Sequence, residues 1–295
     1  MMTSRIPRLA VVTLVFVGSL SIPFLAVAAP GALPSKVAAT YRDRVASLAQ
    51  TLPQVRRRGW TATILELLDE WSRAETTMAG EIFTALKRSW ASPIAAKAGM
   101  SQTTGVAILI DVSGSMAKTP ESGGATTKLA GAEKAARAAL AQLKGFAAAH
   151  PRRVLMATVL TFSRAVKTRI PLQRVGPSFP PLPALVPATA TAIGDGLIAA
   201  RKMLNGGHIG RQHIIVITDG QNSYGSTPLT VLRAFNLLPK EQFPRVHFVA
   251  FDIGQGVFRP LSLFLSKIHE AKDDKQLNAV LSGLFSRDIL PEATP

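Results

Sequence analysis

Apolar positions fall into three regimes along this 295-residue chain. From Leu9 to Ala29 they run almost without interruption. Between residues 60 and 90, Ile64, Leu68, Trp71, Met78, Ile82, Leu86 and Trp90 recur at threes, fours and sevens, which is one face of a helix. After residue 104 they contract into short dense blocks. Gly105–Asp111 (GVAILID), Arg153–Phe162, His213–Asp219 and Val246–Asp252 are continuous, β-rich runs rather than alternating ones, as suits strands covered on both faces of a parallel sheet. Ser266–Glu270 is a fifth, shorter candidate. The intervals carry helical patterns at Lys128–Leu143, Ala192–Leu204 (stopped by Asn205-Gly206-Gly207) and Asp273–Phe285. Five prolines in Gly176–Pro187 predict a loop. The alternation predicts an α/β fold: a doubly wound, mostly parallel sheet flanked by helices, preceded by a helical segment.

The first regime reads as an address rather than as structure. Arg5 and Arg8 precede the apolar run, Pro23 breaks it near its end, and Ala26-Val27-Ala28 offers a small-x-small cleavage site. This is the layout of a secretory signal peptide over residues 1–28, cut after Ala28. The alternative is a retained anchor, since residues 9–29 are long enough to cross a bilayer, although Gly18, Ser19, Ser21 and Pro23 dilute them. Residues 30–100 form the helical segment, with a first helix from about Ser35 to Thr51, a break at Pro53 and Arg56-Arg57-Arg58-Gly59, and then the periodic face above. That face is expected to dock on the neighbouring domain. Ala91–Thr104 reads as a linker, and residues 103–290 as the domain.

Composition narrows the chemistry. There is no cysteine, which excludes disulfides, thiolate metal sites, a thiol nucleophile and a lipidated N-terminal cysteine. Thirty-four Lys and Arg against 18 Asp and Glu give a formal charge of +16. Such a charge opens three partner classes: nucleic acid, an anionic membrane, or an acidic protein. The basic residues are spread out, aromatics make up only 6%, and the leader takes the chain out of the cytoplasm, so no nucleic-acid partner is expected. An exported cysteine-free chain suggests a periplasmic or secreted protein of a bacterial envelope, or, if residues 9–29 are kept, one anchored in the inner membrane.

Two predicted strands end in a carboxylate. The first continues Asp111-Val112-Ser113-Gly114-Ser115, and the second reads Thr218-Asp219-Gly220. A third loop reaches Thr191 at the head of a helix. All of these side chains are hard oxygen donors, with neither sulfur nor imidazole among them, a set that suits Mg²⁺, with Mn²⁺ or Ca²⁺ as alternatives. Asp111-x-Ser113-x-Ser115, then Thr191, then Asp219 resembles the metal-ion-dependent adhesion site of von Willebrand factor type A domains, a Rossmann-like fold. The resemblance covers roughly residues 103–290 and implies that Ser113 and Ser115 ligate the ion directly. It further implies that Thr191 ligates directly or through water, and that Asp111 and Asp219 act through waters or hydrogen bonds. It also implies a protein partner that presents an Asp or Glu to the ion.

Rival motifs fail on their own residues. Arg259 stands where a dinucleotide fingerprint needs its third glycine, and no Walker A sequence occurs. Asp111-Val112-Ser113 lacks the second carboxylate of a phosphotransfer site, and Asp111 occupies the first glycine position of a nucleophile elbow. His150, His208, His213, His247 and His269 are scattered. Asp195 is expected to face solvent on the first turn of its helix, and Asp252 to be structural. The expectation is a non-enzymatic, metal-dependent protein-binding module with an adhesion or assembly role. The alternatives are a membrane-anchored regulatory subunit of an envelope complex and a metal-dependent hydrolase.

Overall fold

The computed structural model describes residues 79–84, 103–123, 126–207, 209–238, 243–264 and 266–293. The expectations for the leader and for most of the helical segment and linker lie outside these residues. What is described of the segment is one short helix, α1 (79–84), whose Ile82 and Phe83 pack against the core of the following domain.

That domain is built on a six-stranded sheet of order β3-β2-β1-β4-β5-β6. Its strands are β1 (Thr104–Asp111), β2 (Leu155–Phe162), β3 (Val166–Arg174), β4 (Arg211–Thr218), β5 (Arg245–Phe251) and β6 (Ser266–Ala271). Every pairing is parallel except β2 with β3. The four apolar blocks form the interior strands because both faces must be covered. Ile108 and Ile110 point to one layer, whereas Ala107 and Leu109 point to the other, as the period of two requires. On the first face lie α2 (Lys128–Ala149) and α5 (Asp274–Leu284); on the second lie α3 (Ile193–Gly206) and α4 (Pro228–Phe235). The proline-rich segment is indeed without helix or strand, and Phe179, Leu182 and Leu185 bury themselves in the first layer.

Two elements depart from the sequence expectation. β3 is not among the expected elements; its Lys167, Thr168 and Arg174 are exposed and only Ile170 is fully buried, so its pattern carries no apolar block. α4 is likewise absent from the expected elements, being only eight residues long with Pro228 in its first turn. Both are peripheral, and neither changes the strand order at the centre. From β1 the chain runs outward to β2 and β3, then crosses back to β4 on the other side of β1. The carboxyl ends of β1 and β4 therefore flank the point where winding reverses, where open α/β sheets form their binding crevice.

At the opposite end of the sheet three imidazoles form a row on the face that carries α2, α5 and the C-terminal turns. Ring centroids of His213 and His247 lie 5.8 Å apart, and those of His247 and His269 5.9 Å. His213 Nε2 donates to Glu292 Oε2 at 3.2 Å, while both nitrogens of His247 lack a partner. Burial, assisted by Arg245 for His213 and by the neighbouring imidazoles for His247, pushes both down to about 3. In the unfolded chain these rings take up protons as pH falls through about 6.5. The unfolded state thus binds more protons between pH 6.5 and 3, and stability falls with falling pH across that window.

Each of the two rings is expected to remove roughly 2 kcal/mol between pH 6.5 and pH 5. Urea unfolding at pH 7.5 and pH 5 measures this: His247→Leu shrinks the difference between the two pH values by about that amount, and an unchanged difference refutes the assignment. A second test concerns packing between α3 and the turn before α4. A Cβ on Gly194 would run into the Ser226 carbonyl, which is backbone and cannot swing away. Gly194→Ala is therefore expected to cost about 1–3 kcal/mol in the same assay.

Candidate metal centre

The five predicted residues meet at the carboxyl ends of β1 and β4. Asp111 is the last residue of β1 and is fully buried. Its Oδ1 accepts from Ser113 N at 2.7 Å and its Oδ2 from Thr218 Oγ1 at 2.6 Å. The first bond turns the chain sharply out of the strand, and a 3-10 turn (Gly114–Ala117) follows. The turn brings Ser113 Oγ and Ser115 Oγ to 3.0 Å from each other. Ser115 Oγ in turn donates to Asp219 Oδ1 at 2.7 Å, across the gap between β1 and β4. Asp219 follows Thr218, the last residue of β4.

Thr191 arrives from a third loop, held by the β1 and β4 loops and by the turn after β2. Ala188 N donates to Val112 O at 2.5 Å, and Ala192 N to Ser163 O at 2.9 Å. Thr191 N donates to Ser223 Oγ at 3.0 Å, and Thr191 O accepts from Ser223 N at 2.8 Å. Ala190, just before it, has φ 65°, a left-handed conformation that costs a non-glycine residue free energy and persists because these bonds hold it. A Cβ on Gly220 would lie 3.9 Å from both Ser115 Oγ and Thr191 Oγ1, so the glycine after Asp219 sits beneath the two hydroxyls.

Several residues that build this pocket carry no motif. Asn222 Oδ1 accepts from Ile193 N at 2.7 Å and so caps α3, which has no cap of its own, while fastening the loop after β4 to the one that carries Thr191. Asp195 is neither at the centre nor free in solvent: its Oδ1 accepts from Ser226 N at 3.0 Å and closes the same loop. Lys128, the first residue of α2, reaches Asp219 Oδ2 at 2.9 Å and Asp252 Oδ2 at 2.8 Å. Asp252, expected to be structural, has its carboxylate bound into the network behind the centre. No sequence spacing announces Lys128, because its two partners lie far along the chain.

The electrostatics are those of a partly satisfied acidic pocket. Burial pushes Asp111 up to about 6, against the opposing hydrogen bonds from Thr218 and Ser113. For Lys128 burial acts downward, but the hydrogen bonds to Asp252 and Asp219 outweigh it and hold the ammonium above its ordinary value. Among the described residues no three His, Asp or Glu side chains gather closely enough to hold an ion by themselves. The donor set here is mixed, three hydroxyls with two carboxylates behind them. It fits a small hard cation: neighbouring ligands of an octahedral Mg²⁺ at about 2.1 Å stand about 3 Å apart, the spacing of the two serine oxygens.

Residues 106–221 match the family model of the von Willebrand factor type A domain. Among solved structures, the fold is similar to a von Willebrand factor type A protein from Catenulispora acidiphila, with 17% identity and TM-score 0.50, over 63% of this chain and 43% of that one. It is also similar to the PilB minor pilin from Streptococcus sanguinis (13% identity, TM-score 0.47, 64% of this chain and 62% of that one). BatB from Bacteroides thetaiotaomicron matches at 16% identity and TM-score 0.46, over 62% of this chain and 98% of that one. This chain thus spans less than two thirds of the first two of these proteins. No curated protein matches it in sequence. The family match over residues 106–221, the strand order and the mostly parallel sheet agree on a von Willebrand factor type A fold for this region.

Proposed function

We propose that this domain is a protein-binding module that works through a divalent cation held at the carboxyl ends of β1 and β4. One observation carries the reading: Ser113, Ser115, Thr191 and Asp219, drawn from three separate loops, converge with hydroxyl oxygens 3.0 Å apart and a carboxylate 2.7 Å from one of them. Ser113, Ser115 and Thr191 would hold Mg²⁺, with Mn²⁺ or Ca²⁺ as substitutes, and Asp111 and Asp219 would orient them. Bound there, the ion supplies a strong attraction for an anionic oxygen, because neutral hydroxyls leave most of its charge unquenched. The protein's own share is preorganisation. Asp111 fixes the Ser113 backbone, Asp219 fixes the Ser115 hydroxyl, and the Ser223 and Asn222 contacts fix the Thr191 loop. A partner that offers an Asp or Glu side chain is the expected occupant. The net basic charge of the chain favours an acidic partner surface, or an anionic membrane face, in the same way.

The constellation argues against a hydrolase. Nucleophilic use of Ser113 or Ser115 needs a base within hydrogen-bond reach. The base in reach is Asp219, whose Oδ1 accepts from Ser115 Oγ at 2.7 Å, but its other oxygen is held by the Lys128 ammonium, and among the described residues no histidine bonds to either serine. The leader-like residues 1–29 support work outside the cytoplasm, in the periplasm, at the membrane or in the medium, in adhesion or in assembly of an envelope complex.

Two experiments test this. Mg²⁺ at a hundredfold excess over its dissociation constant is expected to stabilise the chain by about 2.7 kcal/mol in thermal or urea unfolding. Ser113→Ala and Asp219→Ala should each abolish the effect; stabilisation that persists in both sinks the metal assignment. Proteins retained by the immobilised chain from an envelope extract should be released by EDTA and retained again once Mg²⁺ is restored. Retention that survives EDTA overturns the bridging mechanism.

A further inference from the structure

Behind the hydroxyls lies an ammonium group that the binding reading does not use. The Lys128 side chain is 9% exposed, and the two carboxylates that hold it, Asp219 and Asp252, are 0% and 6% exposed. Asp219 is shared: Oδ2 faces the ammonium at 2.9 Å, and Oδ1 accepts the Ser115 hydroxyl at 2.7 Å. Asp252 is equally committed. Both of its oxygens accept from Glu121 N at 3.0 Å, and its backbone sits at φ 54°, a left-handed conformation. A surface ion pair tolerates loose geometry and contributes little. Here one buried cation is held by two buried anions, and one of those anions belongs to the candidate metal centre.

The charges can be counted. Asp111, Asp219 and Asp252 supply three carboxylates, and Lys128 removes one charge from that total. Charges in so dry a pocket are felt far more strongly than in water. An incoming cation therefore meets a resident one that already binds the carboxylate next to Ser115. We propose that Lys128 is a built-in counter-cation of the metal centre: by occupying Asp219 Oδ2 and Asp252 Oδ2 it holds the pocket together without metal and weakens the binding of a divalent ion, which keeps that ion exchangeable. The inference rests on the metal-binding reading above. Lys128 is a positioning residue here, acting on the ion through Asp219.

A purely structural lysine and a counter-cation make opposite predictions. If Lys128 only braces the fold, its loss lowers stability and leaves metal affinity unchanged or reduced. If it is a counter-cation, its loss lowers stability yet raises metal affinity. The probe is Mn²⁺ alone, titrated calorimetrically into the whole chain at fixed ionic strength. Lys128→Met is expected to bind Mn²⁺ at least fivefold more tightly than the unaltered chain while unfolding at a lower urea concentration. Asp252→Asn, which removes one negative charge and is no ligand, should bind at least fivefold more weakly. The double variant Lys128→Met with Asp252→Asn restores the charge balance and should return to within about twofold of the starting affinity. Equal or weaker binding by Lys128→Met, or unchanged binding by Asp252→Asn, overturns the counter-cation. Should Lys128→Met not fold, the double variant decides against Asp252→Asn: the two differ only at residue 128, and the double variant should bind Mn²⁺ the more tightly, whereas equal or weaker binding overturns the counter-cation. An unaltered chain that takes up no Mn²⁺ refutes the metal reading itself, which is a different result from uptake that ignores the charge at residue 128.

Discussion

A carboxylate removed from water must collect hydrogen bonds, and Asp111 collects its own from both central strands. The Thr218 hydroxyl reaches over from the end of β4, and the Ser113 amide folds back from the loop beyond β1. Each such charge-assisted bond is worth more than a neutral one, and an unpaired buried carboxylate is among the costliest groups a core can hold. Burying Asp111 thus constrains three things together: the register of β1 against β4, the tight exit of the chain at Ser113, and the direction in which the two serine hydroxyls face. The rest of the centre is assembled around that corner.

Outside it, the loops hold one another rather than resting on the sheet singly. The Thr191 loop borrows Ser163 O from the end of β2, Val112 O from the β1 loop, and Ser223 from the β4 loop. Asn222 caps a helix that begins in a different loop, and Asp195 on that helix closes the turn at Ser226. Local stability at a binding face is usually low. Here reciprocal side-chain to backbone bonds supply what the absence of regular structure takes away, and they explain how Ala190 keeps its left-handed backbone beside a site residue.

Much of this was legible in the sequence for physical reasons that apply element by element. A strand covered on both faces has to be apolar throughout, so GVAILID and HIIVITD stand out, and a carboxylate where such a run stops is conspicuous. The five candidate residues could be named because each lies next to such a run or opens a helix. β3 escaped because a half-exposed strand with Ile170 as its one fully buried residue carries no apolar block. Asn222, Asp195 and Lys128 escaped because their work is done at long range: Lys128 is 91 residues from Asp219, and nothing separates it in sequence from the other 33 Lys and Arg. Contacts made by folding itself have no local signature.

β3 has one more consequence, at the rim of the sheet. An outermost strand offers unpaired amides and carbonyls that another chain can join, and β-rich proteins must discourage that encounter. β3 does so with Pro171, which lacks an amide hydrogen, with the charged Lys167, Arg169 and Arg174, and with register shifts against β2 that bend it. A seventh strand finds no continuous ladder there. Sheet extension from that side is thereby disfavoured, so the six-stranded sheet tends to end at β3 rather than to run on into a neighbour's.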